Sequence, residues 1–173
     1  MDTTLVTSCR QCRTFWPADS EPRCTDASHD HAEHIVHRHH DRVAIADGVE
    51  VVATSFDVSD PYQRTDLPDF GLYLDDRWDP PWPHQHLAWP DFGVPDAREL
   101  TAALDDVLGR VRQGATVEIG CLGGHGRTGT ALACLAVLSG VPADQAVAKI
   151  RKDYCDRAVE TSDQESFVGT FAR

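Results

Sequence analysis

The stretch best equipped for chemistry is Cys121-Leu122-Gly123-Gly124-His125-Gly126-Arg127-Thr128-Gly129, which follows the strand-like run Val117-Glu118-Ile119-Gly120. A cysteine attacks only as its thiolate, and an ordinary thiol of pKa about 8.5 is only a few per cent ionised at neutral pH. Lowering that value by about three units takes roughly 4 kcal/mol of preferential stabilisation of the anion. The residues after Cys121 supply the means. A helix that starts where the loop ends turns its positive end toward the sulfur. Gly123, Gly124 and Gly126 let backbone N–H groups point inward and form a concave anion site. Arg127 adds a planar fork that grips two oxygens of one phosphate, a geometry that Lys does not reproduce. Thr128 can hydrogen-bond the sulfur as it departs, which is compatible with a plain role as a first-turn hydroxyl.

Two further stretches belong with it. Trp89-Pro90-Asp91-Phe92-Gly93-Val94-Pro95 lies some thirty residues upstream, and Val159-Glu160-Thr161-Ser162-Asp163-Gln164 lies downstream. Together the Cys-x5-Arg-Thr loop, the Trp-Pro-Asp loop and the glutamine stretch resemble the protein tyrosine phosphatase superfamily, over roughly residues 42–173. The resemblance implies that Cys121 attacks phosphorus and forms a phosphocysteine intermediate. It implies that Arg127 binds phosphate with Leu122, Gly123, Gly124, His125 and Gly126, and that Asp91 acts as general acid and then base. It makes Gln164 a water-positioning residue, although Thr161-x-x-Gln164 is equally a capping box. No cofactor or metal is implied for catalysis. The family usually has His before the nucleophile; Gly120 stands here, removing one contribution to the thiolate. With no match to the tyrosine-recognition loop, the chain is most similar to the compact dual-specificity branch. The implied substrate is phosphotyrosine, phosphoserine or phosphothreonine on proteins. An RNA 5′ end, a small phosphate monoester, or silent phospho-binding are the alternatives. Lys is missing from the loop, which favours a substrate with a single phosphate.

The N-terminus carries a different chemistry. Cys9-x2-Cys12, then Cys24, then His29 or His31, would supply a tetrahedral Cys3His set suited to structural zinc. Such a set is closed and leaves no position for catalytic water. The segment has few apolar residues, so a metal would explain its order; a flexible His-rich arm with reduced thiols is the bland reading. His34, His37, His39 and His40 read as solvated or second-shell groups.

With 173 residues, 41% of them hydrophobic, the chain has enough material for one core and a small appendage. Its formal charge of −12 argues against nucleic acid or an anionic membrane as partner. No apolar run reaches spanning length and residues 1–10 lack a signal-peptide core, so a cytoplasmic protein is expected. The six cysteines do not form a secreted framework. Oligomeric state is not legible.

The expected domains are a Cys/His-rich segment at 1–41 and a catalytic domain at 42–173. The expected fold is α/β: a central, mostly parallel sheet of four to five strands flanked by helices. Within it, Arg42–Ala46 and Val49–Phe56 flank an Asp47-Gly48 turn as a hairpin. Residues 57–69, with Asp60-Pro61, read as loop, and Phe70–Leu74 as a buried strand. Three tryptophans and many prolines make 75–89 a stiff, non-helical packing segment. Asp96 caps a helix with an apolar face of Leu100, Leu104, Val107, Leu108 and Val111. Gly114 ends it, and Thr116–Ile119 delivers Cys121. The helix after Arg127 is apolar all round and therefore buried, which would hold its N-terminus rigidly under the anion site. Pro142 starts the next helix and Thr161 caps the last.

Overall fold

The alternation of apolar β-branched runs with helical patterns from His39 onward produces a sheet whose central strands are covered on both faces. A computed structural model describes residues 2–9, 11–12, 14–56 and 66–171. The chain divides into two compact units, residues 1–38 and 39–173. Residues 39–41, read from sequence with the N-terminal segment, therefore lie in the second unit.

The first unit is a three-stranded antiparallel sheet of β1 (Asp2–Cys9), β2 (Thr14–Pro17) and β3 (His31–Arg38) in the order β2-β1-β3. The sequence reading saw only a metal knuckle here. Strand pairing along the full length of β1 with β3, from Asp2↔Arg38 to Cys9↔His31, satisfies backbone groups that composition alone did not reveal.

The second unit is α/β. Its five-stranded sheet runs β4 (His40–Ala46), β5 (Val49–Ser55), β8 (Val117–Cys121), β6 (Phe70–Tyr73) and β7 (His84–His86). The β4–β5 pair is antiparallel, turned at Gly48 with φ 72°, and the other three pairings are parallel. Every residue of β6 and β8 is buried, as expected of strands covered on both faces. The short β7 was read as loop; it forms by parallel pairing of His84–His86 with β6. The expected loop at Asp60-Pro61 lies outside the described residues.

Helix α1 (Ala97–Arg112) begins on Asp96, whose carboxylate accepts from the Arg98 and Glu99 amides. Its Leu100, Leu104, Val107 and Leu108 join one core with β4, β5, β6, β8 and helix α2 (Gly126–Leu138). Helix α2 is buried almost all round. Helix α3 (Ala143–Asp153) and helix α4 (Ser162–Thr170) pack against it through Ala146, Ile150 and Val168. The Trp-rich stretch contributes Trp78 and Trp82 to a second buried cluster with Phe56 and Tyr73.

Candidate active site

Because β5, β8 and β6 are parallel, their C-terminal ends share one edge of the sheet, where crossover loops leave a crevice. Ser55, Cys121 and the Leu74-Asp75 segment all emerge there. Cys121 is the last residue of β8, and α2 begins five residues later at Gly126. The loop between them is drawn tight by two glycines with different reasons to be glycine. Gly124 takes φ 75°, and a Cβ there would lie 2.9 Å from the His39 ring. Gly120, at the position where His was expected, passes so close to β5 that a Cβ would stand 2.3 Å from Thr54 Cγ2 and 2.9 Å from the Thr54 carbonyl oxygen. No side chain fits at 120, which is the physical reason for the departure.

Cys121 is buried, and the Thr128 hydroxyl donates to its Sγ at 3.1 Å. Arg127, 4% exposed, is the hub of the pocket. Its Nη1 donates to the carbonyls of Leu74 and Trp89, both at 3.2 Å, and its Nη2 lies 2.9 Å from Asp75 Oδ2 and 3.4 Å from Asp91 Oδ1. Its Nε is buried with no hydrogen-bond partner among the described residues. A buried donor of a charged group without an acceptor is costly, and an oxyanion in the loop would satisfy it. The guanidinium thus joins the anion loop to the Trp89–Asp91 segment in one contact set, with the Asp91 side chain 57% exposed.

Two carboxylates near this hub were not singled out from sequence. Burial pushes the Asp75 carboxyl up, but hydrogen bonds from Arg77 and the charge of Arg127 outweigh it and hold the group at about 2. The signal was available: Asp75 follows the apolar strand β6 at the end where such sheets place their ligands. Glu160 sits with Oε2 facing Gly126, where a Cβ would approach it to 2.3 Å. Burial, and then the nearby Asp91 charge, raise its pKa.

Gln164 is fully buried. It forms the reciprocal capping box of α4 with Thr161, its Oε1 accepting from the Glu160 amide at 2.9 Å. Its Nε2 donates to the Gly93 carbonyl at 3.1 Å, and Thr161 Oγ1 donates to the Phe92 carbonyl at 3.3 Å. The glutamine stretch therefore holds the Asp91 segment from below. Phe92 itself has φ 61°, an uncommon conformation for a non-glycine residue, and its ring is exposed beside Asp91.

His39 corrects the sequence expectation of a solvated or second-shell group. It is buried in the second unit, with Nδ1 3.0 Å from Asp41 Oδ2 and Nε2 3.2 Å from Nε2 of His125 in the anion loop. The side chains of His34 and His37 lie outside the described residues.

In the first unit, Cys9, Cys12, Cys24 and His29 converge, one donor atom from each. His29 Nδ1 lies 3.5, 3.2 and 3.3 Å from the three sulfurs, and the Cys12 and Cys24 sulfurs are 3.6 Å apart. Ligands on a tetrahedral zinc with bonds of about 2.3 Å to sulfur and 2.0–2.1 Å to nitrogen stand about 3.5–3.8 Å apart, so the donors fit. Three facing thiols do not all ionise unaided. Burial opposes the Cys9 thiolate, yet the Cys12 amide and its sulfur and imidazole neighbours bring it down to about 6, whereas the neighbouring sulfurs push Cys12 up to about 12. His31, the other candidate, stands opposite Cys9 in the β1–β3 ladder and is exposed, outside the converging set.

Residues 76–168 match a family described as the DSP-PTPase phosphatase domain of a Swiss Army Knife protein, PTP-SAK. An uncharacterized protein of Methanocaldococcus jannaschii is 34% identical over 118 residues, 62% of this chain and 79% of its own. The fold is similar to that of Tk-PTP in its active form, with a TM-score of 0.59 and 24% identity over 72% of this chain and 91% of that one. It is also similar to kinase associated phosphatase carrying a serine for its catalytic cysteine, with a TM-score of 0.62 and 13% identity over 79% of this chain and 93% of that one.

Proposed function

Since this chain belongs to the PTP-SAK family of DSP-PTPase phosphatase domains, we propose that it hydrolyses phosphate monoesters on proteins through a phosphocysteine intermediate. The observation that carries the reading is the convergence on Arg127: the guanidinium touches Asp91 and the Trp89 carbonyl while its buried Nε is left to an oxyanion. In the proposed reaction the phosphate sits on the 122–127 loop amides and Arg127. Cys121 Sγ attacks phosphorus as the ester P–O bond breaks, and Asp91 gives its proton to the leaving oxygen. Asp91, now a carboxylate, takes a proton from water, which attacks the phosphocysteine. The P–S bond breaks, Thr128 stabilises the returning thiolate, and inorganic phosphate leaves. None of these steps calls for a metal.

A protein substrate is favoured by the apolar rim of the acid segment, where Phe92 is 60% and Val94 39% exposed. A flat apolar edge beside the acid suits the side chain of a phosphopeptide better than a polyanion. The zinc set of Cys9, Cys12, Cys24 and His29 would be structural, closing the first unit as a module of its own. We place the enzyme in a reducing compartment such as the cytoplasm, where Cys121 stays a thiol.

The test is turnover of p-nitrophenyl phosphate in EDTA, followed by phosphopeptides and 5′-phosphorylated RNA. Cys121→Ser should abolish hydrolysis and Asp91→Ala should slow it by about 10²–10⁴-fold. Full activity in the Cys121→Ser protein would remove the mechanism. Preference for the RNA end would replace the protein substrate and leave the chemistry standing.

A further inference from the structure

Among the described residues, two groups of donor side chains converge closely enough to hold a metal ion. The second is His39, His125 and Cys155, with all donor atoms within 4.8 Å of one another. We propose that these three residues form a second divalent-metal site, of the kind that zinc takes, and that filling it slows turnover by fixing the anion loop.

The geometry is that of a built site. The His39 side chain is wholly buried, and its Nδ1 is held by Asp41 at 3.0 Å. That contact fixes the ring and aims Nε2 inward, the carboxylate–histidine arrangement that orients metal ligands. Nε2 of His125 faces Nε2 of His39 at 3.2 Å. Two nitrogens bonded to one tetrahedral zinc at about 2.0–2.1 Å stand about 3.3 Å apart, so the imidazoles already occupy one edge of the polyhedron. Cys155, buried just beyond α3, offers its sulfur within 4.8 Å of both nitrogens. Two imidazoles and one thiolate suit zinc, and three protein ligands leave one position open for water or an oxyanion.

Without a cation the His39–His125 contact is a hydrogen bond. Asp41 accepts the Nδ1 proton of His39, so His125 supplies the Nε2 proton. Metal binding moves that imidazole proton to Nδ1 of His125 and releases the Cys155 thiol proton to water. The supporting frame is already in place. The Tyr154 hydroxyl donates to the Gly124 carbonyl at 2.6 Å, and its ring centroid lies 4.7 Å from that of His39. His125 belongs to the anion loop and is the N-cap of α2. An ion on its Nε2 would pin the loop and fix the ring, which is how occupancy would reach catalysis.

The effect on hydrolysis rests on the phosphatase reading; the binding site does not. Untagged full-length protein stripped of metal should take up two equivalents of Zn2+ or Co2+, one at the N-terminal Cys3His set and one here. Cys155→Ala and His39→Gln should each retain one equivalent, while Cys121→Ser retains two. Added Zn2+ should inhibit p-nitrophenyl phosphate turnover of the wild type, and Cys155→Ala should raise the inhibiting concentration at least tenfold while turning over normally in EDTA. That normal turnover also reports that the variant is folded; should it fail, Cys155→Ser gives the same reading. Metal uptake by the wild type that is wholly insensitive to Cys155→Ala and His39→Gln, or a second equivalent that vanishes in Cys121→Ser, would overturn the site. A protein inert in EDTA that still binds the second equivalent would sink the phosphatase reading and leave this site intact.

Discussion

At the residue scale, Asp75 is an inconspicuous letter with a clear electrostatic consequence. It anchors Arg127 at 2.9 Å and is itself shared with Arg77, so it sets where the guanidinium points. Asp75→Asn should raise KM for phosphate esters and lower kcat/KM by about 10–100-fold, because a misdirected fork loses transition-state contacts. The same substitution has a pH signature. The folded carboxyl titrates at about 2, below its ordinary range near 3.9, so it stabilises the fold above pH 4, and this contribution fades as pH falls toward 2. The wild type should exceed Asp75→Asn in stability by of the order of 2 kcal/mol at pH 7, a gap that narrows in acid denaturation run between pH 4 and 2. Gly120 makes the opposite point. Restoring the family's His should not improve the enzyme, because any Cβ there meets Thr54 at 2.3 Å. Gly120→His should lose about 1–3 kcal/mol in denaturant melts, and a variant as stable as wild type would show that β5 and β8 can separate.

At the element scale, the last helix does two jobs with one side chain. Gln164 completes the α4 capping box and reaches across to the Gly93 carbonyl, so the N-terminus of α4 is tied to the acid segment. Gln164→Ala should cost about 1–2 kcal/mol of stability through the lost cap and the orphaned carbonyl. It should also lower kcat more for substrates whose leaving group needs the proton that Asp91 is proposed to give than for p-nitrophenolate. Gln164→Glu separates the two jobs: a carboxylate can still accept from the Glu160 amide but cannot donate to Gly93. It also sets an oxygen against the Gly93 carbonyl, so stability should fall as well, and a kcat unchanged from wild type would assign the kinetic effect of Gln164→Ala to the cap instead of the tie.

At the scale of the whole molecule, the proposed zinc set and the proposed hydrolysis lie in different units and ought to be separable. Strong chelation of full-length protein should remove zinc from Cys9, Cys12, Cys24 and His29 and melt the first unit, as followed by amide hydrogen exchange over residues 14–38. Hydrolysis of p-nitrophenyl phosphate should persist through that loss, since the proposed chemistry lies wholly within residues 39–173. Loss of turnover on chelation, restored by zinc, would instead bind the two units into one functional body.

The sequence by itself determined the parts whose signal is local. Glycine spacing around Cys121 and Arg127, the Asp96 and Thr161 caps, and the hairpin at Asp47-Gly48 are read within a few residues, and they appear in the structure where the letters put them. Other contacts join residues far apart in the chain. Asp75 meets Arg127 across 52 positions of sequence, and His39 meets His125 across 86. The closing of Gly120 onto Thr54 and the choice of His29 over His31 belong to the same kind. Only the order β4-β5-β8-β6-β7 brings three parallel strand ends to one edge, and only the folded 24–29 turn delivers His29 to the sulfurs. Such contacts are set by chain topology and packing, which depend on all the residues together and leave no mark in any short window of the sequence.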